Sequence, residues 1–334
     1  MKIKKLIASL LFMLALSACT YAPPDTGKGF ELSAFGQSFA TENAVFCMEN
    51  GALSLYSANC EKILTEPQNM AEPKWNFSGS YAVIYDCGGN EIISSNGKTV
   101  DHNNINNKIM STEINRNGYI AVCAEEEGCK GAVTVYGTDF EPLYKWYCVS
   151  GYIIKAALSE KNTLAVLTAN EEGSTAHVFA LDSEKEQYSV TMPRELAIDV
   201  FFVDGRLCML SEKALYFAEK DKIRNTVSFD RELGEYAAAE DYILLELRSG
   251  DGSSELCAYG GDGKLRGSAG CELLRDIAVS DKKIAVISGG EVIAFDAKLA
   301  ETFRGDAKGV RNIMLCGDRV LLQRDSEIIA INDF

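Results

Sequence analysis

One unit recurs along this chain: a short apolar strand, a turn built from Gly, Asn, Asp or Ser, a second strand, and another turn. Its cores are VFCMENGALSLYS from Val45, YAVIYDCGGNEIISSNGK from Tyr81, YIAVCAEEEGCKGAVTVYG from Tyr119 and LAVLTANEEGSTAHVFALD from Leu164. Four more follow, LCMLSEKALYFAEK from Leu207, ILLELRSGDGSSELCAYGGDGK from Ile243, IAVISGGEVIAFDAKL from Ile284 and VLLQRDSEIIAINDF from Val320. Their starts fall 36, 38, 45, 43, 36, 41 and 36 residues apart. Some copies match beyond pattern. ALSEKNTLAVL from Ala157 aligns with AVSDKKIAVI from Ala278 with one deletion, and EVIAFD from Glu291 aligns with EIIAIN from Glu327.

A period of about 40 residues holding four short strands is the signature of propeller blades. A single blade cannot cover both of its faces, whereas a ring of blades buries them and leaves no long bare edge. The expected fold is therefore all-β, a β-propeller of four-stranded blades, with eight blades, or seven if one copy is an insertion. A β-sandwich accounts less well for copies spread over the whole chain. The last copy ends at Phe334 after its third strand, while GFELSAF (Gly29 to Phe35) alternates as a strand does. This N-terminal strand is expected to close the last blade.

The first residues carry an address. Lys2, Lys4 and Lys5 precede an apolar run from Leu6 to Leu16, and Leu16-Ser17-Ala18-Cys19 follows. That run is shorter than the roughly 20 residues a spanning helix needs. It has the form of a signal peptide, and its end matches the bacterial lipobox. The expected organisation is residues 1–18 as lipoprotein signal peptide, 19–28 as tether and 29–334 as one propeller domain. Cys19 is the expected lipid-attachment residue, placing the protein on the extracytoplasmic face of a cell membrane. Two acyl chains suit stable anchoring.

Composition narrows the function. With 47% hydrophobic residues the chain can bury a sizeable core, and its net charge of −15 argues against nucleic acid and anionic lipid as partners. Glu125, Glu126 and Glu127 read as a solvated turn. Of eleven cysteines, ten follow Cys19; Cys47, Cys123, Cys208, Cys257 and Cys316 sit in apolar runs and read as buried thiols. Cys123 and Cys129 lie across a predicted hairpin, close enough to bond. There is no CxxC, so a zinc site of the usual spacing is not expected.

Only two histidines are present. His102 lies in the polar, turn-rich DHNNINNK and His177 within the strand TAHVFAL, so neither reads as the base of a nucleophilic triad. No catalytic residue, cofactor or metal is expected. SGDGSSE from Ser249 and GGDGK from Gly260 read as hairpin turns rather than calcium loops. The one stretch with interface-like composition is PLYKWYC, where Tyr144, Trp146 and Tyr147 are candidate partner contacts. Alternation puts Tyr144 and Trp146 on one face, which packing between blades explains equally well.

The segment YIIKAALSEKNTLAVLTAN from Tyr152, with GYIAVCAEEEGCKGAVTVYG from Gly118, resembles a bacterial propeller family of unknown function found mainly in clostridia and their relatives. The resemblance runs from about Phe35 to the C-terminus and rests chiefly on core positions. Members of that family often begin with a transmembrane helix, where this chain has a lipobox, and the resemblance implies no functional residues. A weaker likeness, of anchor and architecture only, is to the propeller lipoprotein that scaffolds outer-membrane protein assembly. The expected function is a non-catalytic, lipid-anchored module, a monomer, that binds a protein or glycan partner of the envelope. The alternatives are a carboxylate-dependent carbohydrate-active enzyme and an envelope-assembly scaffold.

Overall fold

In the computed structural model, which describes residues 29–32 and 36–331, the repeat resolves into eight antiparallel sheets of four strands each. The signal, Cys19, the tether, Ser33 to Phe35 and the last three residues lie outside the described residues. Each strand–turn–strand core supplies the two middle strands of a blade, such as Ala44–Glu49 with Ala52–Ser57 in blade 1 and Lys283–Ser288 with Glu291–Asp296 in blade 7. Middle strands are covered on both faces and so read as continuous apolar runs. The fourth strand lies outside and alternates, as in Lys62–Pro67 and Lys222–Ser228. The first strands, which surround the axis, bring neighbouring blades together.

The core is a ring of clusters shared between adjacent blades. Between blades 4 and 5 it holds Ala165, Leu167, Val178, Leu207 and Met209, all essentially inaccessible. Each such aliphatic side chain contributes roughly 2 kcal/mol on burial. At the closure, Leu32, Val45, Cys47, Tyr56, Met314, Leu321 and Ile328 join blade 8 to blade 1.

The N-terminal strand does close the last blade. Phe30–Glu31 is the outermost strand beside Glu327–Ile331, pairing Phe30 with Ile328 and Glu31 with Glu327. It is shorter than the expected Gly29–Phe35. Leu32 has left the ladder geometry, although its N–H still donates to Ser326 O at 2.8 Å. Phe30 stacks on Tyr56 of blade 1 with centroids 3.9 Å apart. A Cβ on Gly29 would lie 2.3 Å from Ile328 O, so only glycine fits there. A polar clasp reinforces the seam: Asn312 Nδ2 donates to Ser38 O and Gln323 Nε2 to Gly36 O, both at 2.8 Å.

The five strand cysteines are buried free thiols. Burial pushes the thiols of Cys208 and Cys316 up to about 12, far from reactive thiolates. Cys123 and Cys129 are not joined: Cys123 sits inside its strand opposite Val133, and Cys129 lies near Cys148. His102 corrects the sequence reading. The first half of its stretch belongs to the outer strand Val100–Asn104, where His102 pairs with Ile93, and the turn follows only at 105–108. Outer strands face solvent on one side and tolerate polar residues that mimic turn composition. The two Asp-Gly turns form as expected, with Gly252 at φ 88° and Gly263 at φ 75°.

Candidate functional site

The first strands of all eight blades converge on an axial cavity of about 600 Å³. Its mouth lies at the end where each first strand turns into the second. There the sequence repeats a polar position, visible in the aligned copies as Ser159-Glu160 and Ser280-Asp281. Glu42, Arg116, Glu160, Asp204, Glu240 and Asp281 occupy these turns in six blades. Over the whole cavity eight carboxylates face Arg116, Lys155 and Lys161.

Arg116 crosses the mouth. Its Nη2 donates to Glu42 Oε1 of blade 1 at 2.7 Å and to Asp281 of blade 7, and its Nε lies 3.6 Å from Glu240 Oε2 of blade 6. Its backbone N–H donates to Glu160 Oε1 of blade 4 at 3.2 Å. Beside it, Arg266 joins Asp241 at 2.6 Å to Asp204 at 3.2 Å. Below the mouth the wall turns apolar, with Phe77, Ile114, Leu158, Phe202, Val279 and Leu315.

Deeper on one side, Lys155 Nζ of blade 4 lies 4.0 Å from Glu113 Oε2 of blade 3 and 3.9 Å from Asp199 Oδ2 of blade 5. Tyr236 of blade 6 donates to Asp199 Oδ2 at 3.2 Å. Burial raises the Glu113 carboxyl to about 7 against the pull of Lys155, and raises Asp199 as well. Burial alone would lower Lys155, but the two carboxylates raise it.

Chemically, Glu42 and Asp281 converge on one nitrogen, but the guanidinium fills the gap between them. Glu113 and Asp199, both raised by burial, flank a single lysine instead. Both histidines lie elsewhere: His177 sits between Thr168 at 3.2 Å and Glu186 at 3.3 Å, and His102 is 3.5 Å from Glu91.

PLYKWYC forms the outer strand Pro142–Cys148 of blade 3, away from the axis. Tyr144 and Trp146 share a face, as alternation predicts, and pack with Phe179 in the cluster between blades 3 and 4. Tyr147 points the other way, with Lys145 Nζ 4.9 Å from its ring centroid. The axial ring went unread in the sequence. The alignment of Glu160 with Asp281 contained it, because the same turn recurs at the same place around the axis.

The chain belongs to a family of unknown function (DUF5711), which matches residues 33–332. No curated protein matches it. Among solved structures, it is similar to the C-terminal WD40 domain of Sif2, with 10% identity and a TM-score of 0.67 over 94% of this chain and 100% of that one. Sqt1 of Saccharomyces cerevisiae gives 14% identity and a TM-score of 0.65 over 94% and 100%. BamB from Moraxella catarrhalis gives 13% and 0.59 over 92% and 99%. At such identities the likeness shows the fold alone.

Proposed function

Starting from membership of that family, we propose that this chain is a lipid-anchored binding module on the outer side of a cell membrane, and that it performs no chemistry of its own. One observation carries the reading: the charged groups at the axis are tied to one another across blades. Arg116 ties its own blade to four others through their turns, and Lys155 with Tyr236 links four blades through their strands. Such ties brace a rigid frame, and a rigid frame that presents loops is how a propeller recognises a partner. The lipobox at Cys19 supplies the anchor in this reading.

Replacing Cys19 tests the anchor. Cys19→Ser is expected to abolish labelling by palmitate and partitioning into a detergent phase. Undiminished labelling of the variant rules the anchor out.

A second reading, a carboxylate-dependent carbohydrate-active enzyme, is favoured by the raised carboxyl of Glu113 and by Asp199 on the other side of the same lysine, 4.0 and 3.9 Å from its Nζ, which keeps the two within the reach of a glycosidase pair. Turnover of aryl glycosides that disappears in Glu113→Gln would replace the binding reading with this one.

A further inference from the structure

The end of the propeller opposite the Arg116 mouth, where the first strands begin, carries a repeated irregularity. In blades 3, 4 and 5 the ladder between first and second strands slips by one residue, between Ile109 and Ser111, Ile153 and Lys155, and Ala197 and Asp199. The added residues are Met110, Ile154 and Ile198, each 44 positions after the last. A bulge re-aims the side chain it adds, and these three are apolar yet 37%, 39% and 36% exposed. The segments leading into the same strands add Val149, Tyr152 and Leu196, which are more exposed still. The first strands of these three blades pack side by side, so the six residues form one apolar face. The position does not require an apolar residue: in blade 7 the same slip adds Arg275, and in blade 6 it spans Gly234 and Glu235.

Scattered apolar residues at a surface are ordinary, but a contiguous face marks an interaction. Its surroundings say what covers it. The loops between second and third strands of blades 3 to 5 open at this same end and carry Glu125, Glu127, Glu171, Glu172 and Glu212. All five are exposed, and among the described residues none is ion-paired. They outnumber Lys108, Lys130, Arg194 and Lys213 in the same region, and Lys130 is already drawn over the ring of Tyr152, 5.5 Å from its centroid. An acidic rim repels an anionic bilayer and a second copy of itself, and attracts cationic flanks.

We propose that the apolar face of Met110, Ile154 and Ile198 docks a protein segment that is amphipathic and basic, its apolar side on the bulge residues and its Lys or Arg side chains against the glutamate rim. This deepens the binding reading above and rests on it.

The test uses the full chain and a labelled synthetic helix with one leucine face and one lysine face, read by fluorescence anisotropy. The wild type is expected to bind it. The triple variant Met110→Ser/Ile154→Ser/Ile198→Ser should bind at least about tenfold more weakly with an unchanged melting temperature, because central apolar anchors dominate such interfaces. Glu171→Gln/Glu172→Gln should weaken binding a fewfold and flatten its salt dependence. The proposal is overturned if the triple variant binds as the wild type does, or if a leucine–glutamate helix binds equally well. It is also overturned if the bulge residues instead govern flotation with phosphatidylcholine vesicles or dimerisation in the ultracentrifuge. A triple variant that still binds the helix removes this face while leaving a binding module in place, so the two readings fail separately.

Discussion

In blades 3, 4 and 5 the residue added by the first-strand bulge is apolar and faces solvent, whereas in blades 6 and 7 the same slip brings in glycine and charge. A bulge also unseats backbone N–H groups from the ladder, and the two regions satisfy theirs differently. In blade 7 Asp276, directly after the bulge, accepts from Ile277 N–H at 2.9 Å and from Ile313 N–H of blade 8 at 2.6 Å, and in blade 6 a buried carboxylate does so. Glu246 is fully inaccessible and accepts from Glu235 N–H and Leu274 N–H, both at 2.9 Å, from Ser254 Oγ at 2.7 Å and from Arg248 Nε at 3.0 Å. It thereby binds the bulge of one blade to the first residue of the next. Burial alone would raise its carboxyl, but the N–H groups of Leu274 and Glu235, with Arg248 and Ser254, hold it below the ordinary range. Blades 3 to 5 are laced instead by Glu113, Lys155 and Asp199 at about 4 Å, with Lys155 and Asp199 directly after the bulge residues. The same irregularity thus serves cohesion on one side and exposure on the other.

If that contrast holds, the largest effect comes from Glu246→Ala. It leaves Arg248 and two N–H groups without their acceptor and should lower stability by about 3–5 kcal/mol in chemical denaturation. The wild-type contribution is present above the ordinary carboxylate range near 4.5 and is lost as pH falls through the lowered folded value. The difference between wild type and variant should therefore shrink in acid, and a gap that persists unchanged there would break the assignment.

Gly234→Ala comes next. Its Cβ would lie 2.1 Å from Glu246 Oε2 and 2.4 Å from Arg248 Nε, so the carboxylate must shift, at about 1–3 kcal/mol. An unaffected melting temperature would mean that the blade 6 bulge is slack.

The most pH-dependent effect belongs to the laced side, where it vanishes in acid. Glu113 titrates near 7 when folded against 4.5 otherwise, so the folded state holds the extra proton and wild-type stability falls as pH rises between these values. Glu113→Gln removes that slope. It should gain about 1–3 kcal/mol relative to wild type on going from pH 4 to pH 8, a range set by the shift and discounted for partial exposure. Parallel pH profiles for the two proteins would show that Lys155 keeps Glu113 ionised throughout.

The architecture was legible because middle strands such as Thr163–Asn170 are buried on both faces and cannot hide their apolar run. Outer strands were harder, and His102 was misplaced for that reason. The bulged face escaped because each extra residue breaks the period of two that identifies a strand, although Met110, Ile154 and Ile198 recur at equal spacing. Arg116 escaped for another reason. The repeat locates its turn but assigns it an acidic residue, as at Glu160 and Asp281, and the one cation that closes the mouth is the exception to the pattern. Glu246 lies inside ILLELR, where a carboxylate amid leucines shows no partner until the next blade is stacked against it.

The pairing of Phe30 with Ile328 also sets an order of events. The strand synthesised first must wait for nearly the last before it has anything to pair with. Bringing such distant ends together in an otherwise disordered chain costs about 5 kcal/mol in loop entropy. With seven blades already stacked, most of that loss has been met by their own folding. Closure is then expected as the final step of maturation, and until it happens Glu327–Ile331 presents a bare strand edge. The half-made ring is consequently at its most adhesive just before it is finished, and any factor that shepherds this chain has a short, late interval in which to act.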